Sequence, residues 1–131
     1  LLKMGKEGVL STELEKTQAD ILHVSPFHSY PSGVTASVRK RMEYLEWAKQ
    51  RNAIIIEDDF DSEFFMPGKP IDTLYMSDDS QSVIYINTFS KSLSPSIRIG
   101  YMILPEPLLP IYSIWKCIEK RWEIFLVRCQ S

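Results

Sequence analysis

An α/β fold built on a largely parallel sheet is what this sequence predicts, and three observations predict it. Residues 53–56 form a continuous apolar run, the mark of a parallel strand buried on both sides. A strand-like stretch at 20–25 and an amphipathic helix pattern at 35–50 come before that run, so strand, helix and strand alternate. A dense group of carboxylates begins where the run ends. In open α/β sheets, ligands lie off the carboxyl ends of the strands.

Taken in order, residues 1–10 carry Gly5 and Gly8 and read as a loop. Ser11 is a candidate N-cap for a short helix over 12–17, with Leu14 facing inward. Residues 20–25 form a short apolar strand bounded by Pro26, and Pro31-Ser32-Gly33 makes a turn. His23 and His28 flank this point, and a lone histidine in a strand is more often a packed core residue than a ligand. Thr35 can cap the helix that runs to about Gln50. Its stripe is Val38, Met42, Leu45 and Ala48, which should pack on a sheet. The charges on its other faces read as a solvated surface, with Arg39–Glu43 as an i,i+4 pair.

The run at 53–56 ends in Glu57, Asp58, Asp59, Asp61 and Glu63, carboxylates that repel one another unless something positive is near. Two readings stand here. One is an exposed acidic loop able to bind a divalent ion. The other is a ligand site with Asp58 at the strand end. One carboxylate there can pair with a protonated ring nitrogen and keep that ring an electron sink. Residues 64–70 read as a turn-rich excursion, 71–75 as a weak element and 77–82 as a polar loop.

The organising stretch is 83–101. An apolar run at 83–86 reads as a buried strand, 87–96 as a polar loop, and 97–104 as a second apolar run. Lys91 lies in the loop among Thr88, Ser90 and Ser92, and Arg98 follows. Such a loop is either a solvated turn or a place where a lysine meets a cofactor aldehyde and the hydroxyls and Arg98 hold a phosphate. Pro105 and Pro107 start a last helix over 108–126, whose aromatic stripe should pack on the sheet or a partner chain.

The 131 residues are 44% hydrophobic and 24% charged, with net charge −2, which predicts one domain with a real core. Mixed charges give no nucleic-acid face, and no apolar run is long enough to span a bilayer. Cys117 and Cys129 lack metal-ligand spacing and read as reduced thiols of a cytoplasmic protein, with no metal site. A first residue other than methionine reads as an excised or truncated piece.

Residues 55–64 followed by 87–101, together with Ser-Pro-Phe-His-Ser-Tyr-Pro-Ser-Gly-Val at 25–34, resemble the fold type I pyridoxal-phosphate family. More narrowly, they are similar to the aminotransferase-like domain of MocR-type regulators, a branch of the GntR transcription factors. The resemblance covers about residues 20–109. It implies a mixed, mostly parallel sheet with helices on both faces, the central part of the aminotransferase large domain, including an antiparallel strand near 98–104. It implies pyridoxal 5'-phosphate as cofactor, with Lys91 in aldimine linkage and Asp58 on the pyridine nitrogen. Thr88, Ser90 and Arg98 would contact the phosphate.

Two positions depart from the pattern. Tyr30 falls where ordinary aminotransferases place an asparagine touching the ring hydroxyl. Phe60 stands where tyrosine is common, and losing that hydrogen bond costs about 1 kcal/mol. The resemblance makes 1–131 a partial large domain, without the N-terminal winged helix, the phosphate-binding helix or the C-terminal small domain. It implies an effector-sensing domain for an amino acid or amine in a homodimeric regulator that meets DNA through its winged helix. The alternatives are a class I/II aminotransferase and an orphan fragment that binds nothing tightly. Catalytic turnover by this chain alone is not expected, because the arginine for a substrate carboxylate has no counterpart here.

Overall fold

The structure, a computed structural model, describes residues 2–59, 72–88, 100–118 and 125–126. Strands β1 (Met4–Gly5) and β2 (Gly8–Val9) make a small hairpin and lead into α1 (Ser11–Lys16). Then follow β3 (Ile21–Val24), α2 (Val38–Arg51), β4 (Ile54–Asp58), β5 (Val83–Thr88) and β6 (Gly100–Ile103). A 3-10 turn (Glu106–Leu108) opens α3 (Leu109–Ile118), and β7 (Phe125–Leu126) comes last. Five strands form one sheet in the order β3-β4-β5-β6-β7. β3, β4 and β5 are parallel, β6 is antiparallel to β5, and β7 runs parallel to β6. This is the mixed, mostly parallel α/β sheet that the sequence predicts. No helix among the described residues is long and apolar enough to cross a membrane.

The strand alternation sorts side chains onto two faces. Leu22, Val24, Ile55, Glu57, Val83, Tyr85 and Asn87 are buried on one face. Ile21, His23, Ile54, Ile56, Asp58, Ile84, Ile86 and Thr88 lie on the other, exposed or half-buried. The parallel register keeps the sorting in step, pairing Leu22 with Ile55 and Ile55 with Val83. The expectation of a strand buried on both sides at 53–56 therefore holds fully for one face only. α2 closes the buried face, where Tyr44, Leu45, Trp47 and Ala48 join Leu22, Val24, Ile55, Leu74 and Val83 in one core.

α2 is also held from its other side, which rotates its buried surface away from the predicted stripe. Tyr44 Oη accepts from Val9 N at 2.8 Å, and Trp47 Nε1 donates to Leu14 O at 2.9 Å. Lys40 Nζ donates to Ser11 Oγ and Glu43. Leu45 and Ala48 are buried as expected, but Val38 and Met42 are 65% and 46% exposed. Arg39 pairs with Glu7 rather than Glu43, because the hairpin brings Glu7 within 2.9 Å. The glutamate at position 43 takes Lys40 instead.

The capping expectations shift as well. Ser37, not Thr35, caps α2 by accepting from Lys40 N at 3.2 Å. Thr35 lies two residues too early and donates to Phe27 O. Ser11 is the first helical residue of α1, with Leu10 at the cap, so its hydroxyl is left to serve Lys40. The predicted last helix begins at the 3-10 turn, and Phe125 belongs to a strand paired with β6 instead of that helix. The aromatic stripe of Trp115 and Trp122, residues 64–70, and the side chains of Cys117 and Cys129 lie outside the described residues.

Candidate functional site

The carboxyl ends of β3, β4 and β5 lie side by side at one edge of the sheet, as parallel pairing requires. Asp58 is the last residue of β4. Its register partner on β5 is Ile86, and Thr88, two residues further on, ends β5 on the same face. The Asp58 side chain is 33% exposed, so a ligand can reach its carboxylate. On the neighbouring strand, His23 Nε2 stands 3.3 Å from Asp58 Oδ2.

The flanking carboxylates do not share this surface. Glu57 is fully buried on the opposite face, where it accepts from Leu74 N and Tyr75 N, each at 2.9 Å. Burial pushes its carboxyl above the usual glutamate range, and the two N–H groups pull it only partly back. Asp59 is also buried. It accepts from Tyr85 Oη at 2.5 Å, and Asn87 Nδ2 donates to the same Tyr85 oxygen at 3.0 Å. Burial raises the Tyr85 hydroxyl far above its ordinary value, and the bond to Asp59 raises it further. Asn87 Oδ1 accepts from Thr88 N at 2.6 Å, which ties the network to the end of β5.

The reading of an exposed acidic loop is thus corrected for Glu57 and Asp59: alternation turns them inward and distant donors satisfy them. Among the described residues no cluster of three His, Cys, Asp or Glu side chains could hold a metal ion. Asp58 alone of the three faces the accessible side.

The loop after β3 is firmly built. Arg41 donates to the carbonyls of Ala36, Asp72 and Pro26 at 3.1, 3.1 and 3.2 Å, and its guanidinium stacks 4.3 Å from the Phe27 ring centre. A tight turn follows, bridging Ser29 to Val34, with Gly33 at φ +69 where a side chain would be strained. Tyr30 sits in this turn and is 84% exposed. His23 overturns the packed-core expectation: it is 60% exposed, because Leu22 and Val24 take the inward positions of β3.

Of the residues singled out from the sequence, Asp58 and Thr88 come to one face of one edge, and Tyr30 lies in the turn beyond β3. Phe60, Ser90, Lys91 and Arg98 lie outside the described residues. Sequence reasoning missed Arg41, Glu57, Asp59, Tyr85 and Asn87. A period-two count from Ile55 already places Glu57 inward, and the same count from Val83 places Tyr85 and Asn87 inward.

No protein-family model matches the chain. It is 43% identical over 103 residues to the HTH-type transcriptional regulator YdeL of Bacillus subtilis, a match covering 79% of this chain and 22% of that protein. It is 36% identical over 107 residues to the probable rhizopine catabolism regulatory protein MocR of Rhizobium meliloti, covering 82% of this chain and 22% of the relative. The chain thus spans 22% of the length of each of these two regulators. Among solved structures, the kynurenine aminotransferase of Pyrococcus horikoshii superposes with a TM-score of 0.78 at 29% identity, over 88% of this chain and 31% of that one.

Proposed function

We propose that this chain, which belongs to the MocR-type branch of the GntR transcriptional regulators and shares their aminotransferase-like fold, forms part of a pyridoxal 5'-phosphate site that senses an amino acid or amine. The observation that carries the reading is Asp58: one reachable carboxylate at the carboxyl end of a parallel strand, with its two acidic neighbours turned away. Relatives with aminotransferase folds make pyridoxal phosphate the expected cofactor. The donor set fits that group, because an accessible carboxylate is the acceptor a protonated pyridine nitrogen needs.

When bound, the cofactor supplies an aldehyde that captures primary amines and a ring that withdraws electrons. The chain's own residues would do the rest. Asp58 would hold a proton at the ring nitrogen. Thr88, Ser90 and Arg98 would bind the phosphate, Arg98 as a two-pronged donor. Lys91 would present its amine to the aldehyde, and Tyr30 and Phe60 would border the ring. Capture of an effector amine would then be passed to DNA through a helix-turn-helix region of the full regulator, working as a cytoplasmic homodimer.

An aminotransferase is the second reading, and the superposition on a solved aminotransferase favours it. Tyr30 speaks for the regulator, since an exposed tyrosine stands where the enzymes place a ring-contacting asparagine.

The test is cofactor capture: mix the chain with pyridoxal phosphate, reduce with borohydride and map the modified lysine by mass spectrometry. Modification mainly at Lys91, lost in Lys91→Ala, is expected. Labelling scattered over many lysines, or undiminished in the variant, overturns the assignment. Steady transfer of amino groups from amino acids to oxo acids by this chain would favour the enzyme.

A further inference from the structure

The geometry points to His23 as a positioning residue for Asp58, an inference that rests on the pyridoxal phosphate reading above. His23 and Asp58 sit on adjacent parallel strands, on the same accessible face, with Nε2 3.3 Å from Oδ2. His23 pairs with Ile56 in the register, so it reaches diagonally to the residue two places beyond its partner. Diagonal neighbours on one sheet face lie within reach of long side chains.

This contact bears on the orientation of Asp58: with His23 Nε2 beside Oδ2, Oδ1 is the oxygen left for a second donor. That second donor is the ring N–H of the cofactor. His23 is itself too exposed to be explained by packing, since the inward places of β3 belong to Leu22 and Val24. Nor do the buried neighbours supply the same service. Glu57 and Asp59 face the other side of the sheet and have their own donors.

The experiment compares pyridoxal 5'-phosphate with its analogue in which the ring nitrogen is replaced by carbon. Binding of each is followed by visible absorbance and by quenching of intrinsic fluorescence, for wild type, His23→Leu and His23→Gln. If His23 acts through Asp58 on the ring nitrogen, His23→Leu weakens the natural cofactor by up to about fivefold, the upper range for a solvent-accessible pair. The nitrogen-free analogue should bind wild type and His23→Leu alike. His23→Gln, which keeps an N–H donor, should recover most of the loss and return the absorbance band toward wild type.

Equal weakening for both ligands would show a merely structural role and overturn the inference while leaving the cofactor reading intact. So would equal binding of the natural cofactor by wild type and His23→Leu. Failure of wild type to bind either ligand would overturn the cofactor reading and this inference together. Far-ultraviolet circular dichroism of the variants separates misfolding from these outcomes, and His23→Gln keeps the test valid if His23→Leu does not fold.

Discussion

Tyr85 donates its hydroxyl proton to the buried carboxylate of Asp59 at 2.5 Å, joining the strand end of β4 to the middle of β5. The backbone makes the same join, with Asp59 N donating to Ile86 O at 2.9 Å. These two bonds hold the edge on which Asp58 is displayed. Tyr85→Phe removes one donor from a buried carboxylate and should cost about 2 kcal/mol. Urea denaturation checks it. A variant as stable as wild type would show that the tyrosine hydroxyl does not support this edge.

Glu57 makes stability depend on pH in a stated direction. Its carboxyl is raised by burial above the ordinary 4.5, so the folded chain holds that proton more tightly than the unfolded chain. The contribution is fully present below that value and is lost as pH rises through the folded pKa. Glu57→Gln has no such proton to lose. Wild type should therefore lose stability relative to this variant as pH rises above the ordinary 4.5 and through the raised folded value. A stability difference that stays constant over that range refutes the assignment.

Gly8 is required by the close approach of Tyr44. Its φ is +128, and an added Cβ would clash with Tyr44 Oη, the atom that accepts from Val9 N. Gly8→Ala should destabilise the chain by about 2 kcal/mol or more, from backbone strain and displacement of a buried ring. Thermal unfolding by circular dichroism measures it, and an unshifted midpoint would mean the hairpin moves aside freely.

Arg41 ties the loop after β3 to α2 and to Asp72. Truncation to Leu strands three carbonyls and should cost about 3 kcal/mol. Arg41→Lys should recover little, since an ammonium cannot span three acceptors in a planar fork. Limited proteolysis would then cut faster within residues 25–37. Protection equal to wild type in Arg41→Leu would show that the loop holds itself.

Much of the fold was legible in the chain. The apolar runs placed β3, β4 and β5, the strand–helix–strand order placed α2, and Pro31-Ser32-Gly33 placed the turn. Asp58 could be assigned to a strand end because the apolar run stops two residues before it, at Ile56. The place of Asp58 at the end of β4 was therefore visible, while β5 runs two residues further than the apolar run suggested, to Thr88. The helix limits were less legible, since Ser37 and Thr35 carry the same kind of hydroxyl and only the backbone position of each decides which one caps.

What the amino-acid order determined by itself was the periodicity of each element and the residue types at its ends, because these are set by local sterics and by where the apolar residues stop. Only the tertiary structure decided partners. Glu57 is satisfied by Leu74 and Tyr75, Asp59 by Tyr85, and Asp58 stands against His23, each from a segment distant in the chain. No local pattern encodes those meetings. They follow from strand register and from which face α2 covers, and that is why one of three adjacent carboxylates stays accessible while the other two are buried in the frame.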